Sequence, residues 1–205
     1  NKLLGPRHQC CRSDLPDSTR LHPSSRWVQQ WVYRVRSITG RTEMTAQITT
    51  GMQAPDFDLP STRVDERVRL SEVVKKGSAV LLFYPSDWGM MCAVEMRGFR
   101  EMFERFREAK AILLAINTNS VFSHRAWREQ MNLQFELLSD FDGKVSASYG
   151  VLCGDEGYLK GRSNRAVFVV DSNRIVRFAW VADDPSYEPD YDLVLEAVRR
   201  VGAER

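Results

Sequence analysis

From residue 52 onward, short uninterrupted apolar runs alternate with stretches in which apolar side chains recur every third or fourth position. The first pattern predicts strands and the second amphipathic helices. The runs at 79–84 and 111–117 (AILLAIN) are almost wholly apolar, which suits strands in the middle of a sheet covered on both faces. A short strand is predicted at 135–138. The runs at 166–170 and 175–180 flank Asp171-Ser172-Asn173-Arg174 and read as a hairpin. Helical spacing runs from Cys92 through Glu95, Phe99, Phe103 and Phe106 to about residue 110, and again through Val121, His124, Trp127 and Met131. A short helix is predicted at 143–149, and Pro189 opens a final one carrying Tyr191, Leu193, Val194, Leu195 and Val198. Upstream, 54–60 and 67–70 suggest a small hairpin. Ser71 is placed to cap a short helix that reaches Lys76 and is closed by Gly77.

Strand–helix–strand–helix followed by a hairpin and a closing helix predicts an α/β sandwich, a mixed central sheet flanked by helices in the thioredoxin-like layout. The chain has 205 residues, enough for one domain plus a terminal extension. Residues 1–43 differ from the rest: they hold seven arginines, scattered Ser and Thr and few acids. That composition suits an organelle transit peptide. The plainer expectation, preferred here, is a disordered or mis-started extension, with Met44 opening a domain over 44–205. His8, Cys10, Cys11 and His22 lie in this segment, but adjacent cysteines lack zinc-ligand spacing, so no metal is expected.

The formal net charge is +2, which gives no electrostatic case for nucleic acid or a membrane surface. No apolar stretch approaches the length needed to cross a bilayer. Four cysteines, at 10, 11, 92 and 153, do not form the pattern of a secreted disulfide framework. A reducing, cytoplasmic compartment with one or two working thiols is the expectation.

Cys92 carries the chemistry. A strand ends at Pro85, a short turn follows, and a helical pattern opens at Cys92. The unpaired N–H groups and dipole at a helix start favour negative charge, so this thiol is expected to have a lowered pKa and to supply thiolate. A lone cysteine is more often a small buried hydrophobe. The strand–Pro–turn–helix context is what favours reactivity.

Three blocks resemble the peroxiredoxins of the alkyl hydroperoxide reductase and thiol-specific antioxidant family, over residues 51–201. They are Gly51-Met-Gln-Ala-Pro-Asp-Phe-Asp-Leu-Pro, Phe83-Tyr-Pro-Ser-Asp-Trp-Gly-Met-Met-Cys92, and Gly161-Arg-Ser-Asn-Arg165-Ala-Val-Phe-Val-Val-Asp171. The second is similar to the family pattern Pro-x-x-x-Thr/Ser-x-x-Cys. The resemblance implies that Cys92 is the peroxidatic cysteine, oxidised by hydrogen peroxide or an alkyl hydroperoxide to a sulfenic acid. It implies that Arg165 holds thiolate and peroxide, that Glu95 positions the arginine, and that Pro85 shields the sulfur. Plainer explanations exist for each: a strand-edge charge, an acid near a helix start and a strand terminator. Gly89 departs from the pattern, because the family hydroxyl is missing there. Its loss is expected to cost about 1–3 kcal/mol if it only positions substrate. Met90 and Met91 would make the pocket softer and more apolar, favouring organic hydroperoxides, but the preferred reading is that they are packing residues.

No cysteine follows Cys153, so the C-terminal resolving cysteine of two-cysteine members is absent. Cys153 matches no resolving site of the family and is kept only as a possible one. A one-cysteine mechanism is therefore expected, without a cofactor and with thioredoxin or another thiol as reductant. A homodimer is expected, since the family commonly pairs. A second reading, prompted by Gly89, is a redox-sensing or chaperone-like interaction protein of the same fold with weak turnover. A general disulfide oxidoreductase is disfavoured, because no Cys-x-x-Cys pair is present. His124 is read as packing or surface, Trp127 and Trp180 as core or interface aromatics, and Asp183-Asp184-Pro185 as a surface loop.

Overall fold

The computed structural model describes residues 47–63, 65–154 and 157–203. The 1–43 extension expected from sequence, with its histidines and cysteines, lies outside the described residues. A small antiparallel pair, β1 (Asp58–Pro60) and β2 (Arg67–Arg69), leads into α1 (Leu70–Val73). There follow β3 (Ser78–Phe83), α2 (Met90–Glu101), α3 (Phe103–Glu108), β4 (Ala111–Asn117), α4 (Val121–Met131) and β5 (Glu136–Ser139). The chain continues with α5 (Lys144–Ser148), β6 (Ala166–Val170), β7 (Val176–Val181) and α6 (Tyr191–Ala203).

Five strands form one mixed sheet in the order β5-β4-β3-β6-β7. The β3–β4 and β4–β5 pairs are parallel; β3–β6 and β6–β7 are antiparallel. Every residue of β3 and β6 is buried, as their unbroken apolar sequence requires for strands covered on both sides. Alternate side chains serve two cores. Val80, Leu82 and Tyr84 meet Met96 and Phe99 of α2, Trp127 of α4 and Val194 and Val198 of α6. Ala79, Leu81 and Phe83 meet Leu70, Phe57, Tyr149 and Phe168. This is the thioredoxin-like α/β sandwich that the order of elements predicts.

Three local expectations change. The helix predicted from Cys92 to about 110 begins two residues earlier, at Met90, and breaks at Met102 (φ −94°, ψ 1°) into α2 and α3. Phe99 and Phe106 thereby both reach the core, 5.9 Å apart between ring centres. Ser71 caps nothing. It lies inside the four-residue α1, and its N–H donates to Asp56 Oδ1 at 2.9 Å. His124 is neither surface nor simple packing: it is wholly buried and bonded through both ring nitrogens.

Candidate active site

Strand register assembles the site. In the antiparallel β3–β6 pair, Phe83 lies opposite Ala166. The chain leaving β3 at Tyr84 and Pro85 therefore emerges beside Arg165, the residue entering β6. Arg165 is fixed there by its backbone: its N–H donates to Asn164 Oδ1 at 2.8 Å and its carbonyl accepts from Ala182 N–H at 2.9 Å. From Pro85 the chain turns through Gly89, the residue before α2, and Cys92 falls in the helix's first turn. There its backbone N–H is among those with no partner within the helix.

Cys92 is 4% exposed, and Arg165 Nη2 donates to its sulfur at 3.7 Å. The same guanidinium donates through Nη1 to Glu95 Oε2, one turn further along α2. It also donates through Nε and Nη2 to the Pro185 carbonyl, at 3.1 and 2.9 Å. Burial pushes the Cys92 thiol up, against a backbone hydrogen bond from Ser86 and the charge of Arg165, both of which favour thiolate. The net direction is opposite to the lowering expected from helix position alone. A sulfur so nearly closed off loses more hydration than the sequence pattern suggests. Burial likewise raises the Glu95 carboxyl to about 7, although Arg165 pulls it down. Glu95 is completely buried, and its second oxygen, Oε1, has no hydrogen-bond partner.

A cavity of about 430 Å³ opens onto Cys92; its lining includes Pro85, Gly89, Met90, Met91 and Arg165, together with Leu159, Arg162 and Pro185. Pro85, Gly89, Cys92, Glu95 and Arg165 are thus brought together, Glu95 through the arginine. Cys153 does not line the cavity. It lies on the neighbouring loop, where its N–H donates to the Arg162 carbonyl at 2.8 Å and burial raises its thiol. Met90 is not a packing residue: it is 81% exposed, at the cavity mouth. Among the described residues no cluster of His, Cys, Asp or Glu could hold a metal, and no helix is long and apolar enough to cross a membrane.

The family model described as AhpC/TSA family matches residues 50–179. The chain belongs to the AhpC/TSA family of peroxiredoxins. It is 31% identical over 163 residues to the chloroplastic 2-cysteine peroxiredoxin of Chattonella marina var. antiqua, covering 75% of this chain and 80% of that one. The crystal structure of peroxidoxin BcpB from Mycobacterium tuberculosis matches with a TM-score of 0.68 and 30% identity, over 75% of this chain and 98% of that one. The reduced 2-Cys peroxiredoxin of Plasmodium vivax matches with a TM-score of 0.68 and 26% identity, over 77% and 83% of the two chains. The protein is accordingly a thiol-dependent peroxidase, with a hydroperoxide as substrate and a thiol as reductant.

The candidate site also includes groups that sequence reading missed. Asp87, in the turn before Cys92, is buried and accepts from Tyr84 OH at 2.8 Å, Asn117 Nδ2 at 3.1 Å and Ser123 Oγ at 2.6 Å. It faces His124 Nδ1 at 2.9 Å, while His124 Nε2 lies 3.2 Å from the Leu138 carbonyl. Burial alone would push Asp87 up, but His124, Ser123 and Tyr84 hold its carboxyl below the usual range. This network pins the 85–89 turn to α4. Asp183 and Asp184 are exposed, as a surface loop requires, but the Pro185 carbonyl of the same loop also accepts from Arg165. The signal available for Asp87 was a carboxylate between an apolar strand and an apolar helix, where it must be paired. A backbone carbonyl carries no such signal.

Gly89 has φ −66° and ψ 134°, a conformation open to any residue, so its role is spatial. A Cβ there would lie 3.0 Å from Cys92 Sγ and 3.3 Å from the Ser86 carbonyl. Gly89→Ala should crowd the sulfur and slow peroxide reduction. Gly89→Ser brings equal crowding plus a hydroxyl, and should exceed the alanine variant in kcat/KM by about tenfold, near 1.4 kcal/mol of transition-state stabilisation. Equal rates for the two variants would show that a hydroxyl at this position contributes nothing.

Proposed function

We propose that Cys92 is the peroxidatic cysteine of a one-cysteine peroxidase, with Arg165 as the cation that holds thiolate and peroxide together. The observation that carries this reading is the Arg165 guanidinium, 3.7 Å from the Cys92 sulfur, with both residues lining an open cavity. Glu95 positions that guanidinium, and Pro85 walls the sulfur from water. The thiolate attacks the terminal oxygen of the hydroperoxide. A sulfur–oxygen bond forms as the O–O bond breaks, and the departing alkoxide or hydroxide takes up a proton to leave as alcohol or water. Two electrons have moved from sulfur to peroxide, leaving a sulfenic acid. Charge builds on the departing oxygen, where a fixed guanidinium is most effective. A reductant thiol then displaces water from the sulfenic acid to give a mixed disulfide. A second thiol releases Cys92 and carries away the disulfide; thioredoxin or a small thiol suits this step.

Support for the one-cysteine form is the placement of Cys153 off the cavity wall. Intact-mass measurement after one equivalent of peroxide tests it. The expected result is the gain of one oxygen, trapped on Cys92 by a sulfenic-acid reagent. Loss of two hydrogens, with Cys92 and Cys153 linked in one peptide, would replace this scheme by a two-cysteine one.

A further inference from the structure

The cavity holds two guanidiniums, and the chemistry above uses one. Glu95, Cys92 and the Pro185 carbonyl engage four of the five N–H donors of Arg165, leaving one for the peroxide. Arg162 lines the same cavity, and its position is fixed by the backbone: its N–H donates to the Leu159 carbonyl at 2.8 Å and its carbonyl accepts from Cys153 at 2.8 Å. Its side chain makes one hydrogen bond, from Nη1 to Thr118 Oγ1 at 3.3 Å, and that hydroxyl in turn donates to the Gly161 carbonyl at 3.2 Å. No carboxylate among the described residues lies within ion-pairing distance of Arg162. One anchored N–H leaves the rest of the planar fork free for an acceptor from the cavity.

The surroundings define that acceptor. Met90, Met91 and Leu159 with the Tyr158 ring give the cavity an apolar wall, and about 430 Å³ is far more room than hydrogen peroxide occupies. The charges also need balancing. Above about pH 7, with Cys92 and Glu95 both ionised, the site carries two negative charges against the one positive charge of Arg165. An anionic substrate would be repelled unless a second cation met it, and Arg162 supplies that cation beside an apolar wall. We infer that Arg162 selects organic hydroperoxides bearing a carboxylate: the apolar chain lies along Met90, Met91 and Leu159, and the carboxylate pairs with the guanidinium. The inference rests on Cys92 being the attacking thiol. The bond changes are those already given, with the carboxylated alkoxide leaving as an alcohol after protonation.

The test compares a linear alkyl hydroperoxide ending in a carboxylate with its methyl ester, for the wild-type enzyme, Arg162→Gln and Arg162→Lys. The ratio of kcat/KM for acid over ester is taken within each protein, so a general loss of activity cancels. At low ionic strength the expected ratio is about tenfold for the wild type, close to one for Arg162→Gln, and intermediate for Arg162→Lys, which keeps the charge but not the fork. A wild-type ratio of one, or a ratio that survives Arg162→Gln, overturns the assignment while hydrogen peroxide consumption leaves the peroxidase reading intact. Consumption of neither organic hydroperoxide nor hydrogen peroxide overturns both.

Discussion

Cys92→Ser should abolish peroxide consumption, lowering the second-order rate by at least about a thousandfold, or ~4 kcal/mol of transition-state stabilisation. A serine hydroxyl in the same cavity keeps the helix start, Arg165 and the apolar walls, but has no sulfur to be oxidised. The substitution is nearly isosteric and should leave the fold unchanged, because the Cys92 side chain meets the core at only one end and a cavity at the other. Cys153→Ser is the matched control. Its sulfur lies off the cavity wall, so peroxide consumption with an excess of a small-thiol reductant should remain near the wild-type value. Stopped-flow measurement of peroxide loss on all three proteins reads both outcomes. Residual activity in Cys92→Ser would move the reacting sulfur elsewhere, and a large loss in Cys153→Ser would bring the second thiol into the cycle.

Much of this molecule can be read from sequence, and the reason is visible in particular residues. The unbroken runs at 79–84, 111–117 and 166–170 become the covered centre of the sheet, because a strand buried on both faces has no choice but apolar side chains. The pairing of Cys92 with Arg165 is not a property of either segment. It follows from Phe83 lying opposite Ala166, a register that single-chain periodicity does not encode. Helical spacing placed His124 on the apolar side of α4 but could not reveal its partner, since Asp87 is 37 residues away. The thiol's direction of shift was misjudged for a related reason. The helix start is local and legible, whereas desolvation of Cys92 depends on how closely the 85–89 turn and the Pro185 segment approach it. Met90 and Arg162 face a cavity whose existence depends on the same tertiary approach.

Arg165→Met should destabilise the protein by about 2 kcal/mol at pH 8.5, because it strands a completely buried carboxylate. Glu95 gives the effect a distinctive pH dependence. Its folded-state pKa of about 7 lies above the ordinary carboxyl value of 4.5, so the folded protein binds the proton more tightly than the unfolded chain. The associated stability is present below about 4.5 and is lost as pH rises through about 7. Removing Arg165 takes away the charge that pulls this carboxyl down, so in the variant the loss continues to higher pH. The deficit relative to wild type should therefore be small at pH 5 and large at pH 8.5. Glu95→Gln should flatten the slope, and adding it to Arg165→Met should restore much of the stability. The kinetic consequences separate the two partners. Arg165→Met should lower the peroxide rate by about a hundredfold, since the fixed cation beside the departing oxygen is gone. Glu95→Gln should instead move the pH midpoint of Cys92 alkylation downward, because the Glu95 charge opposes thiolate formation. Urea unfolding of the four proteins at both pH values, with alkylation profiles on the folded enzymes, checks each step. If Arg165→Met matches the wild type at pH 8.5, or gains nothing from Glu95→Gln, the buried pair is not what holds the guanidinium against the sulfur.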